Sequence, residues 1–139
     1  MAEQDNFNEK IITEFRANGG KVGGWFDGQT LLLLHTTGVK SGAERVNPLA
    51  YQQVGDAYAI FASNGGAPAD PQWFRNLVAK PDTTVEVGGD TVAVRARVAD
   101  TEERAPIWAK QKADRPNFAE YDTTAAPRQI PVVILDPVA

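Results

Sequence analysis

The clearest chemistry in this sequence lies in three neighbouring side chains. Lys40, Ser41 and Arg45 sit just beyond the turn-forming Thr36-Thr37-Gly38, which itself ends the apolar run Leu31 to Leu34. Lysine supplies a point charge, arginine a planar two-pronged donor and a glycine turn free backbone N–H groups, a set suited to a phosphate or carboxylate. The same residues also fit an ordinary solvated hairpin turn. A second stretch, Ser63-Asn64-Gly65-Gly66-Ala67-Pro68, follows another apolar run and precedes Asp70-Pro71. Its glycines let backbone approach a flat ligand closely, and its N–H groups can bond ring carbonyls or phosphate oxygens. A plain strand-to-helix loop is the simpler alternative.

Composition removes several other chemistries. The chain has no cysteine, so disulfides, thiolate metal sites and cysteine nucleophiles are excluded. It has one histidine, His35, which excludes any site needing two. No metal site is expected, and His35 reads as a hydrogen-bonded structural residue. Gly38-Val39-Lys40-Ser41 resembles the tail of a P-loop, but the glycine and lysine are not adjacent and no earlier glycine stands at the required place. Neither Ser41 nor Ser63 has the glycine elbow that exposes a serine nucleophile. The net charge of −4 weighs against nucleic-acid binding, because a phosphate backbone selects a basic face. No apolar run approaches the ~20 residues of a membrane-spanning helix. The opening residues MAEQDNFNEK lack the basic and apolar parts of a signal peptide, so the simplest location is cytoplasmic.

The 139 residues suit a single folding unit, and elements must be found that bring the two loops together. Phe7, Ile11 and Phe15 recur at helical spacing and Asn18-Gly19-Gly20 supplies a stop, so Asn6 to Ala17 reads as a short amphipathic helix covering the rest. Residues 1–28 therefore form a helix and a loop, Gly23 to Gly28, carrying Trp25. Strands are expected at Thr30–His35, Arg45–Val54, Ala57–Ser63, Thr83–Val87, Thr91–Val98 and Gln129–Leu135. Gly55-Asp56 and Gly88-Gly89-Asp90 are the hairpin turns. Leu31 to Leu34 reads as buried on both faces, whereas Pro48 and Pro131 imply edge or bulge positions. Asp70-Pro71 should start a short helix with Trp73, Asn76 and Leu77 on one face. Asp100 and Glu103 form a capping box for another, which carries Trp108 inward and is kinked or delayed by Pro106. Asp114 to Pro127 reads as an irregular lid or pocket loop. The fold class that follows is mainly β with added helices: a six-stranded antiparallel barrel with an N-terminal helix and short peripheral helices.

Four segments in this order, HTTGVKSGAERVNPLAY, FASNGGAPADPQWFRNLVAKPDTTVEVG, TEERAPIW and IPVVILDP, resemble the deazaflavin-dependent nitroreductase family of actinobacterial reductases. The resemblance runs from about Leu31 to Pro137. It implies a split β-barrel over residues 29–139 that binds coenzyme F420. It further implies hydride transfer from reduced F420 to a small electron-poor acceptor, namely a quinone, an activated enone or a nitroaromatic. By the same resemblance Lys40, Ser41 and Arg45 hold the cofactor's phosphate and glutamyl tail, and Asn47 and Pro48 line the groove beside it. Ala62, Ser63, Asn64, Gly65 and Gly66 lie against the deazaflavin ring, and Trp73 and Asn76 belong to the helix that closes it. Ser63 and Tyr121 are the groups expected to bond the reduced acceptor, within an aromatic surround of Trp25, Tyr51, Phe118 and Tyr121. Many relatives carry lysine at the place of Asn64. The nitroimidazole-activating member has tyrosines where this chain has Arg115 and Phe118. Either a monomer or a homodimer fits, as does contact with a membrane through the acceptor. A non-catalytic carrier of F420, flavin or haem is the competing reading.

Overall fold

A computed structural model describes residues 2–19, 31–67 and 69–138, with side chains described from residue 9 onward. Helix α1 spans Ala2–Ala17. Six strands follow: β1 Leu31–Thr37, β2 Glu44–Val54, β3 Ala57–Phe61, β4 Asp82–Val87, β5 Asp90–Val98 and β6 Val132–Pro137. Helix α2, Gln72–Ala79, joins β3 to β4, while α3, Thr101–Asp114, and α4, Asn117–Ala125, join β5 to β6. The strands close into an antiparallel split barrel in the order β1-β2-β3-β6-β5-β4.

Alternation along the strands explains how one small barrel supports three apolar clusters. Leu32 and Leu34 point inward with Ile60, Val85, Val94, Val133 and Leu135, and Trp73 and Leu77 of α2 plug that interior from one end. Leu31 and Leu33 point outward under Ile11 and Phe15 of α1, so all four leucines of β1 are buried, as the uninterrupted run predicts. On the opposite wall, Ala59, Phe61, Val132 and Ile134 point outward under Ile107, Trp108, Phe118 and Ala125 of α3 and α4. The three clusters fix where each helix can sit, and hence where the loops between them emerge.

The hairpins form where glycine permits. Val54 pairs with Ala57 across Gly55-Asp56, and Val87 pairs with Asp90 across Gly88-Gly89, so Asp90 belongs to the strand rather than to the turn. Both Gly55 and Gly88 have positive φ, 60° and 59°. Pro48 pairs opposite Leu33, in the half of β2 that β3 does not reach, because β3 pairs only with Tyr51–Val54. A proline that cannot donate is tolerated there, and Glu44–Ala50 is left as the open lip of the barrel. Pro131 is not an edge residue. It precedes β6, and its carbonyl accepts from the Ala62 N–H at 3.0 Å.

Two further expectations need correction. The segment after Asp114 is not an irregular lid: α4 occupies most of it, held by burial of Phe118 and Ala125. Of the two effects expected of Pro106, a delayed start does not occur: α3 runs from the Asp100 cap through Asp114 with Pro106 inside it, and the Glu103 N–H donates to the Asp100 carboxylate at 2.9 Å. Burial of Ile107, Trp108 and Gln111 outweighs the hydrogen bond that proline removes. The expected 28/29 boundary and Trp25 lie outside the described residues.

Candidate functional site

A groove of about 1870 Å³ runs along the open half of β2, between the tip of the β1–β2 turn and α4. Its lining includes Lys40, Ser41, Arg45, Asn47, Pro48, Ser63, Asn64, Trp73, Asn76, Phe118 and Tyr121. Of the other expected residues, Ala62 is fully buried with its side chain in the barrel interior. Tyr51 stands apart from the groove, edge-on to Tyr58 with ring centres 5.4 Å apart, and burial pushes its hydroxyl pKa up. Its place on β2 lies beyond the open half, where β3 covers the strand.

At one end of the groove the β1–β2 turn is tightly built. The Gly38 N–H donates to Ala43 O at 2.8 Å, Gly42 N–H to Gly38 O at 2.9 Å, and Ala43 N–H to Ser41 Oγ at 3.2 Å. Ser41 therefore braces the turn while keeping its own O–H to donate. Lys40 and Arg45 are exposed, and among the described residues neither has a carboxylate partner. Arg75 on α2 joins them on the lining, bonding Gln72 and the Asp70 carbonyl but no acid. Three cations here face two carboxylates, Glu9 and Glu44, in a chain of net charge −4. Glu44 is itself engaged, at 3.4 Å from His35 Nδ1. Charges left uncompensated along a concave surface select an anionic ligand.

The other end is built from the glycine loop and α4. Residues Asn64–Gly66 form one 3-10 turn, with the Gly66 N–H donating to Ser63 O at 2.9 Å. Asn64 has φ 49°, a left-handed conformation that asparagine tolerates, and its amide donates to Ala69 O at 3.0 Å. Gly66 has φ 83° and is pressed against Tyr121, where an added Cβ would come within 3.1 Å of the Tyr121 Cα. The Thr124 hydroxyl donates to Gly66 O at 3.1 Å, locking α4 to the loop. Tyr121 stands edge-on to Phe118 at 5.3 Å, and its hydroxyl accepts from Asn117 Nδ2 at 3.2 Å. That acceptance leaves the tyrosine O–H available to donate.

Helix α2 ties the two ends together. Asn76 is 2% exposed; its Oδ1 accepts from the Val39 N–H at 3.3 Å and Gln72 Nε2 at 3.0 Å, and its Nδ2 donates to Thr36 Oγ1 at 3.3 Å. Asn76 thus holds the cationic turn against the helix that carries Trp73. Sequence reasoning overlooked Arg128, whose guanidinium grips the glycine loop from behind with bonds to Ala62, Ser63 and Ala67 carbonyls. An isolated arginine before a strand gives no sequence signal for such a role.

His35 lies outside the groove. Its Nε2 is 2.8 Å from Glu86, which also takes a bidentate pair from Arg16 at 3.0 and 2.7 Å and so clamps α1 to the barrel. Arg16, and then His35, hold the Glu86 carboxyl below its ordinary value, against the opposing effect of burial. Among the described residues no group of acids and histidines could hold a metal ion. None of the described helices is long and apolar enough to cross a membrane.

A split barrel with a long groove, cationic at one end and lined by Ser63, Asn64, Phe118 and Tyr121 at the other, has the shape and charge that suit a flat molecule with an anionic tail. The sequence profile of the F420H(2)-dependent quinone reductase family matches residues 9–137, and the chain belongs to that family. Membership makes coenzyme F420 the cofactor and F420H2-dependent reduction the class of chemistry. A Mycobacterium tuberculosis F420H(2)-dependent quinone reductase is 37% identical over 125 residues, covering 87% of this chain and 83% of that one. The solved structure of an F420-H2 dependent reductase, FDR-A, has a TM-score of 0.70 at 37% identity, covering 77% of this chain and 94% of its own. A second solved chain, described as a domain-swapped dimer, has a TM-score of 0.71 at 32% identity over 97% of this chain and 98% of its own.

The groove meets the demands of that cofactor on its own evidence. Unpaired Lys40, Arg45 and Arg75 suit an anionic tail, and Ser63 and Asn64 line the groove beside Trp73 where a flat ring system can lie, whereas Gly66 is buried against Tyr121 and is not on the lining.

Proposed function

We propose that this protein reduces quinones, with F420 lying along the groove. The observation that carries this reading is the joining of an unpaired cationic end and an end lined by Ser63, Asn64, Phe118 and Tyr121 in one continuous groove. Reduced F420, when bound, supplies a hydride, so a quinone needs one further proton to become the hydroquinone. The chain's own residues then bind, orient and shield. Lys40, Arg45 and the Ser41 hydroxyl hold the tail, and Asn47 and Pro48 line its path. Backbone at Ser63, Asn64, Gly65 and Gly66 fixes the ring, with Trp73 behind it and Asn76 keeping α2 in place. Phe118 and Tyr121 offer an aromatic wall to a flat acceptor. The Tyr121 hydroxyl, or that of Ser63, donates to the acceptor oxygen on which negative charge develops. Quinones fit this wall best, because both their reacting ends are oxygens that accept from such donors. Activated enones share one such oxygen, and nitroaromatics the flat ring, so both are weaker acceptors on this reading.

Steady-state oxidation of reduced F420 by menadione, cyclohexenone and a nitroaromatic tests the proposal. Menadione should be turned over fastest. Binding of F420 without reduction of any acceptor would establish a carrier instead.

A further inference from the structure

Arg128 makes more bonds to the glycine loop than any sequence signal anticipates. Its Nε donates to Ala67 O at 3.2 Å, one terminal nitrogen to Ala62 O at 3.1 Å and Asp70 Oδ1 at 2.8 Å, and the other to Ser63 O at 3.0 Å and Ala67 O at 2.7 Å. These five bonds match the five N–H donors a guanidinium possesses. The side chain is 14% exposed, and its own backbone N–H donates to Ala125 O at 3.0 Å. The guanidinium therefore joins the loop after β3 to Asp70 just ahead of α2, and the Arg128 backbone ties both to the end of α4.

The consequence follows from peptide geometry. In a trans peptide the carbonyl of one residue and the N–H of the next point in opposite directions. Holding Ala62 O and Ser63 O toward Arg128 turns the N–H groups of Ser63 and Asn64 away from it. Ser63 and Asn64 line the groove, whereas Arg128 does not.

We propose that Arg128 is the positioning residue of the hydride-transfer site, fixing from behind the backbone N–H pair of Ser63 and Asn64 that meets the cofactor ring. This rests on the placement of F420 proposed above. No other side chain can replace it: lysine carries a charge but only three donors on one atom, which cannot span three carbonyls and a carboxylate.

The test uses Arg128→Lys, and Arg128→Ala with added guanidinium, in the full chain. Amide hydrogen exchange without cofactor should quicken across residues 62–67 in both variants, and far-UV circular dichroism should keep the wild-type shape. With menadione, kcat should fall about a hundredfold, as expected for reacting groups misplaced by about an ångström. The kinetic isotope effect with F420 deuterated at the transferring carbon should rise, because hydride transfer becomes more rate-limiting. A mere loss of folded enzyme would leave that effect unchanged. Guanidinium should restore part of the activity of Arg128→Ala. Unchanged exchange across 62–67, or an Arg128→Lys enzyme within twofold of wild-type kcat, would overturn the role. A wild-type chain that neither binds F420 nor reduces menadione would refute the cofactor placement instead, while the exchange measurement still decides whether Arg128 holds the loop.

Discussion

Replacing Gly66 by alanine separates two costs that the structure distinguishes. At Gly66 the backbone has φ 83°, and an added Cβ would collide with the Thr124 hydroxyl and come within 3.1 Å of the Tyr121 Cα and 3.3 Å of Tyr121 Cδ1. Gly55 has φ 60° with nothing within 4 Å, so Gly55→Ala measures the backbone cost alone. That cost is about 1–2 kcal/mol, offset by about 0.4–1 kcal/mol because alanine restricts the unfolded chain. The unfolded-chain effect is the same for Gly66→Ala and cancels in the difference, and the backbone cost at φ 83°, further from the left-handed well than 60°, can only add to the loss at Gly66. What remains is overpacking against α4, which costs about 1–3 kcal/mol where backbone rather than a flexible tip is the obstacle. For a domain of this size each kcal/mol lowers Tm by roughly 3–4 °C. Gly66→Ala should therefore melt at least roughly 3–12 °C below Gly55→Ala by calorimetry. Adding Thr124→Ala should recover part of the loss, because it removes one of the two obstacles. Equal melting temperatures for the two glycine variants would show that α4 is not seated on the loop, and Tyr121 would lose its fixed place beside Ser63.

Charge reversal at Lys40 and Arg45 together should weaken F420 binding at least about a hundredfold, since charge-assisted hydrogen bonds contribute roughly 1.5–3 kcal/mol each. Both side chains are exposed and lack carboxylate partners among the described residues, so Tm should barely move, and isothermal titration beside a melting curve checks both statements. The Glu86 clamp predicts a pH dependence with a definite sign. Its carboxyl titrates below the ordinary 4.5 in the folded state, so its contribution is complete above that value and disappears as acid protonates it through the lower, folded pKa. Glu86→Gln should thus lower Tm at neutral pH and lose its effect in strong acid; an equal effect at both would refute the clamp.

The parts that sequence reasoning reached are those where one residue type has one physical use. Four successive leucines in β1 require cover on both faces, and the barrel interior and α1 supply it. Gly55-Asp56 makes the hairpin, and Asp100 caps α3 by accepting from the Glu103 N–H, although the Glu103 carboxylate pairs with Arg97 rather than closing the expected box. The rest depends on contacts distant in sequence. Helix α4 includes Thr123 and Thr124 and lacks a strong apolar period, so its helicity comes from Phe118 and Ala125 packing on β3, β6 and α3. Tyr51 reads as a pocket aromatic until its pairing with Ile60 places it where β3 covers β2. Arg75 and Arg128 resemble any surface arginine; only the fold brings one beside Lys40 and Arg45 and the other behind Ser63.

The planar cofactor that the groove prefers is the most direct test of F420 lying in it. Trp73 lies in its wall, so intrinsic tryptophan fluorescence reports occupancy during titration with oxidised F420 and, separately, with flavin mononucleotide. Saturable quenching by F420 at lower concentration than by the flavin is the expected result, with the difference abolished when Lys40 and Arg45 are reversed in charge. Tighter binding of flavin mononucleotide would contradict the placement of F420 in this groove.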